Sequence, residues 1–91
     1  MNPKFSIVIT VTREKYVHFA LKSAIEQSFS LESFEIIFSD NSEKGLKNIF
    51  NKFKAKNIKY HRPKKYLPVH HHWDFAFSKA KGDWVLLLCD D

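Results

Sequence analysis

Two adjacent carboxylates, Asp90 and Asp91, close an apolar run from Trp84 to Cys89 that Gly82 and Asp83 open with a turn signal. Paired hard oxygen ligands suit a divalent cation that carries phosphates. The run has no polar alternation, so it predicts a strand buried on both faces, as in the middle of a parallel sheet. Ligands of open α/β sheets bind at the carboxyl ends of the strands. Thr10, Thr12 and Arg13 should leave a first strand at that same edge, and Asp40 a second. A carboxylate such as Asp40 can accept the N–H of a pyrimidine, and threonine hydroxyls can meet ring or ribose oxygens. A cation on Asp91 would then neutralise a diphosphate.

The elements that must deliver these groups are legible in the hydrophobic pattern. Residues 5–10 (FSIVIT) and 34–39 (FEIIFS) are nearly continuous apolar runs and predict buried strands. Between them, residues 14–27 carry Tyr16, Ala20, Ser23, Ala24 and Gln27 at spacings of three and four, flanked by Val17, Leu21 and Ile25, which predicts a helix. Over residues 43–55, Leu46, Ile49, Phe50 and Phe53 fall on one stripe with lysines mostly off it, predicting an amphipathic surface helix. Residues 57–61 read as a shorter strand near the sheet edge. The loop that follows, 62–68, contains Pro63 and Pro68, which bar continuation of strand or helix.

A third helix is predicted over residues 70–81, with Trp73 and Phe77 in the core and Gly82 just past its end. Trp84 is expected in the core as well. His70, His71 and His72 are adjacent, so their side chains diverge and one ion cannot easily collect all three. They are expected instead to open this helix, where one could donate to a phosphate. The order is βαβαβαβ, for which a parallel Rossmann-like sheet of order 3-2-1-4 is the simplest packing. In that order the crossover direction reverses between the first and fourth strands, and a crevice opens there.

Composition narrows the classes. The 91 residues suffice for one small domain or part of a larger one, and 44% hydrophobic content with nine Phe excludes a disordered tail. Cys89, the single cysteine, cannot form an internal disulfide and is expected to be a buried reduced thiol, which fits a cytoplasmic setting. No run approaches the ~20 apolar residues of a membrane span, and Met1-Asn2-Pro3-Lys4 lacks a signal peptide's apolar core. The expectation is a chain that neither spans a membrane nor is secreted. With Gly45 and Gly82 as the only glycines, a Gly-rich dinucleotide turn and a phosphate loop are excluded. The net charge of +5 fits a phosphorylated small molecule, an anionic membrane face or nucleic acid. One alternative is therefore a non-catalytic basic α/β domain, gripping nucleic acid or lipid headgroups through its lysines and the Arg62-Pro63-Lys64-Lys65 loop. Against it, no RNA-binding aromatic signature is present.

Three segments together carry a resemblance: SIVITVTREKYVHFALKSAIEQSF, FEIIFSDNS and HHWDFAFSKAKGDWVLLLCDD. The chain resembles the N-terminal, nucleotide-sugar-binding portion of a family 2 glycosyltransferase of GT-A fold. The resemblance spans nearly all of the chain, and its most specific parts are residues 20–28 and the closing Ala-x-Gly-Asp, apolar run and Asp-Asp. It implies transfer of a sugar from a nucleoside-diphosphate sugar, UDP-linked by expectation, to an acceptor saccharide or lipid-linked saccharide. It also implies a divalent cation, Mn or Mg, and no nucleic-acid partner; peripheral association with the inner face of a membrane would be compatible. By position, Thr10, Thr12 and Arg13 would serve the nucleotide, Asp40 the base, Asp90 the ribose and Asp91 the metal. Two departures are visible. Ile9 to Arg13 keeps only the threonine and arginine of the Pro-Thr-Tyr-Asn-Arg type of run. The acidic motif, often Asp-x-Asp, begins either at Cys89 or across residue 92, and Asp91 belongs to it in both registers. The implied domain is larger than this chain, so the general base is expected beyond residue 91 and the chain alone is expected not to turn over.

Overall fold

The computed structural model describes residues 3–13, 15, 17–28, 33–53 and 58–89. Strands and helices alternate as the periodicity predicts: β1 (Phe5–Val11), α1 (Val17–Ser28), β2 (Phe34–Asp40), α2 (Lys47–Phe50), β3 (Ile58–His61), α3 (Val69–Ser78) and β4 (Trp84–Cys89). The four strands form one parallel sheet in the order β3-β2-β1-β4. The fold is therefore α/β and Rossmann-like, with the predicted order. β1 and β2 occupy the centre because they are the two runs apolar enough to be covered on both faces, and both are buried beyond their first residue.

The two faces differ. On one, Ile7, Ile9, Val11, Ile36 and Phe38 meet Val17, Leu21 and Ala24 of α1, together with Leu46 and Ile49. Each large side chain fully buried there contributes about 1.5–3 kcal/mol relative to exposure. On the other, the apolar contact among the described residues is Val8, Ile37 and Ala76, with Leu87 and Ala80 at its margin. The rest of that face is polar, and its groups bond to one another. Ser6 Oγ donates to Glu35 Oε2 at 2.6 Å, and Ser39 Oγ lies 2.7 Å from His72 Nε2. Burial alone would raise the Glu35 pKa, but bonds from Ser6, the Lys81 backbone and Lys59 hold it below the usual carboxylate range.

Four expectations are corrected. The second helix is a single turn, Lys47–Phe50, because residues before it are committed to a loop around Asp40 and Gly45 adopts a left-handed φ of 83°. After it, Lys52 and Phe53 bond three residues back, to Ile49 and Phe50, the tighter pattern of a 3₁₀ turn. The predicted apolar stripe survives this change, with Leu46 and Ile49 buried and Phe50 and Phe53 packed against the core.

The third helix ends at Ser78, so Gly82 does not cap it. Gly82 is required by close approach: a Cβ there would sit 2.7 Å from the Phe5 carbonyl carbon and the Ser6 nitrogen. Trp73 and Phe77 are exposed, because the line of α3 facing the sheet runs through His72 and Ala76.

β4 is an edge strand. It pairs only with β1 among the described residues, and Trp84, Val85 and Leu86 are 63%, 43% and 42% exposed. Its apolar sequence permits burial on both faces, but burial also needs covering elements. The first helix, α1, begins at Val17 and buries the predicted stripe from Val17 to Ala24. Glu14, Tyr16 and the side chains of Gln27 and Cys89 lie outside the described residues.

Candidate functional site

In a parallel sheet every strand delivers its following loop to the same edge. Here the loops after β1, β2 and β3 enclose a cleft of about 670 Å³ lined by Thr12, Arg13, residues 40–43 and residues 62–66. The β1–β2 register sets Val11 beside Asp40, which brings Thr12 and Arg13 alongside the loop that follows β2. Three of the predicted site residues, Thr12, Arg13 and Asp40, thus meet in one cleft. Thr10 is buried within β1, between Ser39 and Cys89, and does not line the cleft. Asp90 and Asp91, expected at the ribose and the metal, lie outside the described residues.

The wall after β2 is fastened at several points. Asn41 donates its backbone N–H to the Val11 carbonyl at 2.7 Å, and its side-chain amide brackets Leu67, giving Nδ2–H to the carbonyl at 2.8 Å and taking the N–H on Oδ1 at 3.0 Å. Arg62 donates Nη2–H to the carbonyls of Ser42 and Glu43, each at 3.2 Å, so the end of β3 grips the same loop. Beneath it, Asp40 is fully buried. Its Oδ1 accepts from the Ser42 backbone N–H at 3.0 Å and from the Ser42 hydroxyl. Its Oδ2 accepts from the Leu46 N–H at 2.6 Å and from the Tyr60 hydroxyl. Burial pushes the Asp40 pKa up, yet these donors outweigh it and leave the carboxyl below its ordinary range. The Tyr60 hydroxyl is pushed well above its ordinary value, by burial first and then by the hydrogen bond and charge of Asp40.

Electrostatically the cleft is cationic. Arg13, Arg62, Lys64 and Lys65 line it, against Glu43 and the internally bonded Asp40. Such a lining attracts anions, and its charges act over roughly 8–10 Å at physiological salt. Arg62, Lys64, Lys65 and Tyr66 line the cleft beyond the residues expected there from the sequence. The available signal was topological: a proline-bounded loop after a third parallel strand must emerge at the edge where Asp40 does.

The three histidines separate. His72 is buried against Ser39, whereas His70 and His71 are exposed in the first turn of α3 and do not line the cleft. Among the described residues no group of three or more His, Cys, Asp or Glu side chains could hold a metal ion.

The chain belongs to glycosyl transferase family 2, whose sequence model matches residues 6–91. A search of the curated proteins found no significant match. The family match covers all of the four strands except Phe5, and the whole of the cleft lining. A glycosyl-transfer function, with a nucleotide-sugar donor and an acceptor, follows in general from that membership.

Proposed function

We propose that the cleft binds the nucleotide part of a nucleoside-diphosphate sugar, UDP-linked, for transfer of the sugar to a saccharide or lipid-linked saccharide. The observation that carries this reading is the meeting of Thr12, Arg13 and Asp40 in a cationic cleft at the carboxyl edge of the sheet, in a chain of this family. Thr12, Arg13, Asp40 and Asp90 form the nucleotide side, Thr10 supports it from within β1, and Asp91 is the metal ligand. Cationic groups offset the donor's negative charge, and a pre-built wall orients it, which lowers the ordering cost of binding.

A divalent cation, Mn or Mg, would be held through Asp91 and would stabilise negative charge on the leaving diphosphate. The carboxylate chemistry of Asp90 and Asp91 suits such an ion. The base that takes the acceptor's proton is assigned to no described residue. The 91-residue chain by itself is proposed to bind the donor without completing transfer. Work at the cytoplasmic face of a membrane fits the basic balance, and no described helix is long and apolar enough to cross a membrane.

Isothermal titration with UDP, with and without Mn²⁺, tests the reading on the wild-type chain and on Asp91→Ala. The expected result is UDP binding by both, with the Mn²⁺-dependent increment lost in the variant. Equal heats for the two proteins with Mn²⁺ would remove the metal assignment. No UDP binding by a folded wild-type chain would overturn the nucleotide reading itself.

A further inference from the structure

A carboxylate offers four lone-pair positions on two oxygens. At Asp40 all four are matched by donors of the chain: two from Ser42, one from Leu46 and one from Tyr60. The side chain is fully buried, so it lines the cleft without presenting an open acceptor to it. Meanwhile the loop above Asp40 carries the cleft-facing surface, and each of its ties can be traced. Ser42 Oγ also accepts from the Gly45 N–H at 3.1 Å, and Leu46 anchors the loop's far end to Asp40.

Resting on the nucleotide reading above, we propose that Asp40 and Tyr60 are positioning residues for nucleotide binding: they hold residues 41–46 as a rigid wall, and the wall rather than the carboxylate contacts the nucleotide. Tyr60 is well placed for this task. Its ring is stacked on Phe38 at 5.7 Å and tilted against Phe50 at 5.3 Å, so β3 and the core fix where its hydroxyl points. The hydroxyl reaches across from β3 to the end of β2 and couples the two strand ends that flank the cleft. Rigid pre-formed walls bind more tightly because less freedom is lost on association.

The two roles for Asp40 predict opposite signs in one variant. Tyr60→Phe keeps the stacked ring and removes only the hydroxyl. If Asp40 contacted the base directly, the freed lone pair would leave UDP binding unchanged or tighter. If it positions the wall, UDP binds about three- to tenfold more weakly, a part of what one charge-assisted hydrogen bond can contribute. The amide proton resonances of Ser42 and Leu46 should also move in the free variant, reporting the loop without ligand.

A pH profile separates positioning from a general loss of stability. The charged and titratable groups around Asp40 are Tyr60 and Arg62 from the β3 side, Glu43 and Lys44 in its own loop, Lys47 on α2 and Arg13 from the β1 end. Without the Tyr60 hydroxyl the Asp40 pKa rises. The acid loss of UDP binding should therefore occur at higher pH in Tyr60→Phe than in the wild type. Should that variant not fold, Ser42→Ala removes a donor to Oδ1 and should move the acid midpoint in the same direction. Unchanged or tighter UDP binding by folded Tyr60→Phe, or an unmoved midpoint, overturns the proposal and leaves the nucleotide reading standing. Absence of UDP binding by the wild type instead overturns that reading, and the proposal with it.

Discussion

The backbone N–H of Gly82 donates to Ser6 Oγ at 2.8 Å, tying the start of β4's approach to the second residue of β1. The same hydroxyl donates onward to Glu35 on β2, which also takes the Lys81 N–H at 2.6 Å. One buried cluster thus joins β1, β2 and the α3–β4 connection at the end of the sheet opposite the cleft.

Gly82→Ala should destabilise the chain by about 1–3 kcal/mol, the usual cost of forcing atoms into a packed site. The new Cβ would lie 2.7 Å from backbone atoms of Phe5 and Ser6, which cannot swing aside as a long side chain can. Urea unfolding measures the change. A midpoint equal to that of the wild type would show that the approach relaxes freely.

Glu35→Gln should cost stability at neutral pH and much less in acid. Its hydrogen-bond donors hold the folded-state pKa of Glu35 below its ordinary value of 4.5, so its contribution is fully present above that value and is lost as pH falls through the lower folded value. Replacing the carboxylate puts an amide donor against buried donors, at a cost of about 1–3 kcal/mol. Lys59, at 3.0 Å from Oε1, is nearly half exposed, so its ion pair adds little. Unfolding free energies from about pH 7 down to pH 3 check this. The wild-type and variant curves should draw together as pH falls below 4.5 towards the lower folded value, and a gap that stays constant would rule out Glu35 as the titrating group.

Lys64→Ala with Lys65→Ala should weaken UDP binding several-fold and reduce its salt dependence, while leaving the melting temperature nearly unchanged. Both side chains are exposed at the cleft, so their removal takes charge away without disturbing the core. Titration at two salt concentrations is the measurement. Affinity that is insensitive to both substitution and salt would argue that the cationic lining does not meet the ligand.

Several features were legible in the chain because they depend on local patterning. The two continuous apolar runs became β1 and β2, and alternation with helices gave the parallel order. Thr12, Arg13 and Asp40 could be placed at one edge because every parallel strand ends there. The errors arose where neighbours decide the outcome. Trp84 looks like core by type, but among the described residues β4 has a strand partner on one side only. Trp73 and Phe77 share a stripe with Ala76, yet the sheet meets α3 along His72 and Ala76. A heptad-like stripe over residues 46–53 cannot reveal that Gly45 and the Asp40 loop delay the helix and cut it to one turn.

By itself, the sequence determined the alternating architecture and the carboxyl edge as the working edge, since hydrophobic period and strand direction are properties of neighbouring residues. Only the tertiary structure decided what Asp40 does there. Its hydrogen-bond donors come from residues 42, 46 and 60, and whether a carboxylate faces a ligand or its own chain depends on which donors the folded backbone brings within about 3 Å. The same holds for Arg62, Lys64 and Lys65, which the sequence offers as a proline-bounded loop for an anionic partner and which the sheet places in one cleft with Arg13.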